Sequence, residues 1–271
     1  MGQVVINGDK SINNSIIYIS NHLLDSIFKM TLPEKRVLWY FLKDYKFGKH
    51  HTIALDTTIS HREYARMYKL SSQQAAIEIS KACYSLPDNT YFMPRPEWDG
   101  NVLTELDDKI FTNAELAQLK AFRKGNVVDS CDFGIERGVS KVTFAQGFIQ
   151  HAIPLSNYFT QYRLYAADSL TVANHIALYE ELQRWFDKKS NTGIYITNPT
   201  RLINKIGLPQ TYEKYPQMRR GFLTPALKNI NEKTDLTVKL IEIRENANNP
   251  RSKVTKLEFV ITGQSSEFDA L

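Results

Sequence analysis

The sequence predicts an α+β protein of two tandem winged-helix domains, each a helix-turn-helix with a small antiparallel sheet, and three observations carry that expectation. Apolar residues recur at helical spacing in several separate stretches of both halves. Each group of helices gives way to short runs rich in β-branched and aromatic residues, bounded by Gly, Pro or Asn. The order helix, helix, helix, strand, loop, strand then reads as one plan used twice, although the halves share no obvious sequence repeat. A chain of 271 residues is long for one compact core and comfortable for two domains. The seam is expected within 154–162, which gives domains over 1–157 and 158–271.

In the first domain, Val4-Val5-Ile6 and the polar break Asn13-Asn14-Ser15 make residues 1–19 a mobile lead-in or an edge strand. Helical spacing begins at Asn21 with Leu23, Leu24, Ile27 and Phe28. Thr31-Leu32-Pro33-Glu34 joins an N-cap candidate, a first-turn proline and a glutamate three residues after the cap, a capping box opening onto Val37, Leu38, Phe41 and Leu42. A second box, Ser60-His61-Arg62-Glu63, starts a short helix to about Tyr68. After the polar turn at 69–72, a helix over 73–86 is expected to turn Ala76, Ile79, Cys83 and Leu86 inward and Gln74, Lys81 and Ser85 outward. Two short helices joined by a tight turn make a helix-turn-helix candidate, whose second member enters a groove if DNA is the ligand. Beyond Pro87 the strand candidates are 91–94, 126–129, 141–145 and 148–153, with a helix expected around Ala114–Lys120.

In the second domain, the strongest helical pattern covers 170–186, with Val172, Ile176, Tyr179, Leu182 and Phe186 on one face. Asn198-Pro199 starts a helix over 200–206, which Gly207 terminates. Residues 212–235 form the next. At 100° per residue, Met218, Phe222, Leu223, Ala226, Leu227 and Ile230 fall on one half, and Gln217, Arg220, Thr224, Lys228 and Asn231 on the other. The polar half has long donors and no carboxylate, which suits phosphates and base edges. Pro225 allows two readings: it removes the bond to the Gly221 carbonyl and bends the axis, or with Thr224 it marks the true start of the helix. Strands over 236–244 and 256–262 follow, joined by the Asn-rich loop 245–253.

With 42% hydrophobic and 23% charged residues, the composition is that of a globular chain. Apolar runs such as 37–42 are too short for a bilayer and no basic-then-apolar leader opens the sequence, so a soluble cytoplasmic protein with no membrane contact is expected. Cys83 and Cys131 form no CxxC pair, and neither a disulfide framework nor a structural metal is expected. There is no GxxxxGK[ST] loop and no GxGxxG, and His50-His51 are adjacent where a metal-dependent nicking site needs a residue between them. No catalysis and no cofactor are therefore expected. The net charge is +5, yet residues 200–256 hold 12 Lys and Arg against 5 Asp and Glu, a concentration suited to a polyanion.

The segments Pro154-Leu-Ser-Asn-Tyr-Phe159-Thr-Gln-Tyr162, His175-Ile-Ala-Leu-Tyr179-Glu-Glu-Leu182, Leu208-Pro-Gln-Thr-Tyr212 with Tyr215, Arg219-Arg220-Gly-Phe-Leu223 and Pro225-Ala-Leu-Lys-Asn-Ile230-Asn231-Glu-Lys-Thr234-Asp235-Leu236 resemble those of the iteron-binding plasmid replication initiators, the initiator Rep protein family. They cover nearly all of 150–262 in order. Residues 20–150 match through the helix-turn-helix pattern and the hairpin before Pro154. The resemblance implies two winged-helix domains related by a pseudo-twofold. It implies monomers that bind repeated double-stranded DNA sites at an origin and promote melting of an AT-rich segment. It also implies a homodimer that represses its own gene, formed through the first domain, and recruitment of the host replication initiator and the replicative helicase. This chain departs from similar proteins at Gly221, where another basic or bulky residue is usual, and at Asn248–Lys253, where a Gly-Arg-Lys-like turn is usual.

On this reading Arg220, Thr224 and Lys228 face the major groove, and an Arg can take both acceptors of a guanine. Arg219, at the edge of the apolar half, braces the helix or reaches phosphate, or else makes a structural ion pair. Lys214, Arg244, Arg251 and Lys253 are phosphate neutralisers. In the first domain Gln74 and Lys81 are the candidate DNA contacts. The alternatives are a winged-helix repressor without an initiator role, a rolling-circle nuclease and a module that binds only protein.

Overall fold

The capping signals in the sequence start helices where they stand. In the computed structural model of the chain, which describes residues 15–43, 55–94, 122–152, 159–249 and 251–264, β1 (Ile16–Ser20) leads into α1 (Asn21–Ile27), capped by the Ser20 hydroxyl. Glu34 reaches back to the Thr31 amide at 2.6 Å and opens α2 (Leu32–Leu42). After β2 (Asp56–Ser60), Ser60 caps α3 (His61–Met67) and Ser71 caps α4 (Ser72–Ser85). The box at Ser60 is half made. The Glu63 carboxylate turns to the Tyr40 hydroxyl at 2.8 Å and to Lys43 at 3.1 Å, tying α3 to α2 instead of capping itself.

A hairpin of β3 (Thr90–Pro94) and β4 (Phe122–Asn126) precedes β5 (Val128–Glu136) and β6 (Val139–Phe144). The sheet order is β2-β6-β5. Two expected strands are corrected here. The run at 126–129 is where β4 hands over to β5: Val127 and Val128 are both buried, which strand alternation does not allow. The run beginning at Phe148 lies in α5 (Gln146–Ala152), because Phe148 and the adjacent Ile149 both enter the core. The buried face of α4 is Ala75, Ile79, Ala82, Cys83 and Leu86; Ala76 is only half-buried, so the helix is rotated from the expected setting. The expected helix around Ala114–Lys120, the pair His50-His51 and most of the expected seam lie outside the described residues.

The second half begins with β7 (Phe159–Arg163), which pairs antiparallel with β1, Ile16 opposite Arg163 and Ser20 opposite Phe159. Then come α6 (Leu164–Asp168) and α7 (Ala173–Trp185). α7 is shorter than the 170–186 expected, since Val172 is its extended N-cap with an exposed side chain and Phe186 begins β8 (Phe186–Asp187). β9 (Thr192–Thr197) was not anticipated, although Ile194-Tyr195-Ile196 alternates as a half-buried strand should. α8 (Pro199–Ile206) is capped by Asn198 and ends at Gly207, whose φ of 74° is the left-handed value a side chain disfavours. β10 (Leu236–Arg244) and β11 (Val254–Gly263) complete a sheet of order β10-β11-β9-β8. In both halves the strand after the first helix of the trio pairs with the last strand, and the last with the one before it. The two halves are therefore two winged-helix domains of matching topology.

Charged and polar groups join the first helix of one trio to that of the other. Lys35 on α2 meets Glu180 on α7 at 2.6 Å, both side chains fully buried. The Tyr162 hydroxyl donates to the other Glu180 oxygen at 2.9 Å and accepts from the Trp39 indole at 3.0 Å. Beside them Arg36 spans Asp168 at 2.8 Å and Glu78 at 2.9 Å. Burial raises the Glu180 carboxyl above its ordinary range, against the pull of Lys35 and Tyr162. Among the described residues no helix is long and apolar enough to cross a membrane, and no group of three His, Cys, Asp or Glu could hold a metal ion.

Candidate nucleic-acid interface

The polar face of residues 212–235 depends on how the chain passes Pro225. A short 3-10 turn at Gln210–Glu213 leads into α9 (Tyr215–Met218), a π-turn at Arg219–Leu223 and α10 (Thr224–Lys233), all continuously helical in backbone from Tyr215. The helix thus neither starts at Thr224 nor breaks at the proline. The Thr224 amide donates five residues back, to the Arg219 carbonyl, and the widened turn accommodates a ring that would otherwise meet the Gly221 carbonyl. That carbonyl takes the Tyr212 hydroxyl at 3.4 Å instead. A Cβ on Gly221 would lie 2.8 Å from the Tyr212 ring, so glycine at this position is the seat of Tyr212.

On this helix Met218, Phe222, Leu223, Ala226 and Ile230 are buried, and Gln217, Arg220, Thr224 and Lys228 are exposed, as the wheel predicts. Asn231, expected on the polar face, is structural: its amide exchanges two hydrogen bonds with the Val238 backbone, at 2.7 and 3.1 Å, and ties α10 to β10. Arg220 uses only Nε, on the Pro216 carbonyl at 3.4 Å, and has no carboxylate partner among the described residues. Lys228 is 3.9 Å from Glu232, an exposed contact that contributes little. Arg219 and Arg244 are arranged differently. Both hold Glu242, at 2.9 and 2.6 Å, and Arg244 also donates to the Ser252 carbonyl at 2.8 Å. Their charge is partly spent on the base of the β10–β11 loop, which favours the ion-pair reading of Arg219.

That loop is shaped by its asparagines. Asn246 accepts from the Asn248 amide and Asn249 from the Arg251 amide, while the Ser252 hydroxyl donates back to the Asn246 and Asn249 carbonyls. The Asx turns replace a glycine turn and leave Arg251 and Lys253 exposed, with no ion-pair partner among the described residues, as is Lys214 at the start of α9. Between this wing, the start of α8 and Tyr215 lies a cleft of about 780 Å³ lined by Asn198, Arg201, Glu213 and Lys253. No local pattern announces it, since its walls come from three separate segments.

In the first domain, α4 occupies the place α9–α10 has in the second. Lys81 is exposed as expected. Gln74 is exposed too, but its side chain accepts from the Ser71 amide at 3.0 Å and serves as a cap. Arg62, Arg66 and Lys69, which the sequence reading passed over, are exposed around the same helix and have no ion-pair partner among the described residues. The i, i+4 spacing of Arg62 and Arg66 beside a helix-turn-helix could have found two of them.

His175 on α7 supports α9–α10 from behind. Its Nδ1 lies 3.0 Å from the Asn229 amide nitrogen, which donates to the neutral ring, and Phe222 packs beside it. Burial, with Lys233 adding to it, lowers the pKa from 6.5. A histidine held neutral contributes stability that is fully present above its unfolded pKa and is lost as pH falls through the folded value. Thermal unfolding followed from pH 7.5 to pH 5 should therefore show a declining midpoint, and His175→Gln a shallower decline; equal slopes would remove this role.

Comparison with known proteins agrees with the topology. The family described as "Initiator Replication protein, WH1" matches residues 16–183, and that described as "Initiator Rep protein, WH2" matches residues 200–261. A protein of Escherichia coli described as "Uncharacterized 27.6 kDa protein" is 26% identical over 244 residues, 85% of this chain and 91% of that one. The crystal structure of Pi initiator protein in complex with iteron DNA is similar in fold, with a TM-score of 0.70 at 16% identity over 94% of this chain and 99% of that chain.

Proposed function

The chain belongs to the initiator Rep protein family, and on that premise we propose that it is a plasmid replication initiator that binds iterons, repeated double-stranded DNA sites at an origin. The observation that carries this is the exposed stripe of Arg220, Thr224 and Lys228, in which only Lys228 has a carboxylate nearby among the described residues, Glu232 at 3.9 Å, flanked by the unpaired wing cations Arg251 and Lys253. Arg220 supplies base readout; Lys214, Arg251 and Lys253 supply phosphate contacts. Arg219 and Arg244, tied to Glu242, act mainly by holding the wing against the helix. The similar fold of an initiator solved with iteron DNA supports the same ligand. In this reading residues 158–271 are the main sequence reader, and residues 1–157 add DNA contact and a homodimer surface. The initiator acts in the cytoplasm without catalysis or cofactor, recruits the host initiator and helicase, and represses its own gene as a dimer.

The test is footprinting on the DNA flanking its own gene, with titration by salt. Protection of tandem repeats is expected, and Lys253→Ala should weaken binding to all sequences about equally while lowering the salt slope by about 0.9. Absence of any footprint would overturn the proposal. Protection without permanganate-reactive thymines in a neighbouring AT-rich tract would favour a repressor.

A further inference from the structure

The two reading helices present different chemistry. On α9–α10 the exposed stripe is cationic. On α4 the residues opposite the buried face are Gln73, Ile77, Ser80 and Tyr84, all exposed, with Ile77 46% and Tyr84 87% accessible. Ile77 sits near the centre of that face, about 170° from the mean direction of Ala75, Ile79, Ala82 and Leu86 on a 100° wheel. Gln73, one turn earlier, makes no side-chain hydrogen bond among the described residues, whereas its neighbour Gln74 is used as a cap. Lys81 follows Ile77 by one turn, and the preceding helix and turn carry Arg62, Arg66 and Lys69; all four are exposed and make no ion pair within 4 Å among the described residues.

An exposed apolar side chain on a helix-turn-helix that also exposes four cations is an odd surface for a protein partner, whose contact would bury those charges. It fits a polyanion that carries apolar groups at its centre. The major groove of DNA is such a surface, because each thymine projects a C5 methyl between flanking phosphate rows, and adenine offers N6 and N7 to a Gln amide. Side chains at i and i+4 are about 5–6 Å apart, within reach of neighbouring base pairs. Resting on the duplex-binding reading above, we propose that α4 reads an A·T step, with Ile77 against a thymine methyl and Gln73 on the adjoining adenine, while α9–α10 reads guanine. The repeat is then asymmetric. Its A·T-specified end lies about one helical turn, ~34 Å, from its G-specified end.

The experiment uses the full chain and the tightest duplex that it selects from a randomised library, with each thymine replaced singly by deoxyuridine, which lacks only the methyl. Wild type is expected to lose about fourfold in affinity at one position, roughly the contribution of one buried methyl. Ile77→Ala should be weaker on the parent duplex and indifferent to that replacement, and Gln73→Ala should relax selection at the neighbouring A·T pair. Ile77 is exposed, so its truncation leaves the core intact. Tight, selective binding in which no deoxyuridine matters, or matters equally to wild type and Ile77→Ala, overturns the methyl contact and leaves the initiator reading standing. Loss of self-association instead of DNA affinity in Ile77→Ala also overturns it, in favour of a protein-docking face. No selective duplex binding by wild type overturns both readings.

Discussion

Lys35→Met is expected to lower the free energy of unfolding by about 3–5 kcal/mol, the cost of leaving a buried charge without its partner. Glu180 is fully buried, and apart from Lys35 at 2.6 Å its carboxylate has only the Tyr162 hydroxyl among the described residues. Burial already raises its pKa. Without the ammonium the pKa rises further, so the folded chain holds a proton at pH values where the unfolded carboxyl, with its ordinary pKa near 4.3, has lost it. Over that window the variant loses about 1.4 kcal/mol per pH unit as pH rises. Urea unfolding at pH 5 and pH 8 should therefore show the larger deficit at pH 8. Lys35→Met/Glu180→Gln should recover most of it, because the amide keeps an acceptor for Tyr162 and carries no charge. An equal deficit at both pH values, with no recovery in the double variant, would refute the argument. The pair joins α2 to α7, one helix of each domain, so weaker binding to sites that engage both domains should accompany the instability.

Lys35 and Glu180 are 145 residues apart, and nothing local in the sequence announces their meeting. The same holds for Arg219 and Arg244 converging on Glu242 and for the cleft beside α8. What the sequence does announce is local. Ser20, Thr31, Ser71, Asn198 and Gly207 mark helix ends by the bonds or dihedral each residue type makes easily, and the structure has them there. Misreadings arose where one pattern served two purposes. Phe148-Ile149 is equally apolar for strand or helix, and only the burial of both neighbours decides. Gln74, a candidate DNA contact, also closes the capping box Ser71-x-x-Gln74, its amide oxygen accepting from the Ser71 amide. Pro225 offered a bend or a start, and the chain took a π-turn, which depends on Tyr212 packing over Gly221 from outside the helix.

The neighbouring arginines of the second reading helix make the sharpest contrast for function. Arg220→Ala is expected to lose about 1–3 kcal/mol of discrimination at one G·C pair, because a bidentate guanidinium on O6 and N7 distinguishes guanine from every other base. Its geometry permits this: Nε rests on the Pro216 carbonyl at 3.4 Å, which orients the fork and leaves both terminal nitrogens available. Arg219, with Nε committed to Glu242 at 2.9 Å, is placed to brace the wing, so Arg219→Ala should leave base preference unchanged. It should weaken binding by removing one cation and leaving Glu242 Oε1 without its Arg219 partner, while Arg244 still holds the other oxygen and the loop. Competition binding against duplexes altered one base pair at a time separates the two. Arg220→Ala should bind the altered and parent pair alike at one position, and Arg219→Ala should keep the wild-type pattern at reduced affinity. If the pattern follows Arg219 instead, the Glu242 pair breaks on the DNA and the reading stripe is rotated by one residue, a shift the π-turn beneath both arginines could accommodate.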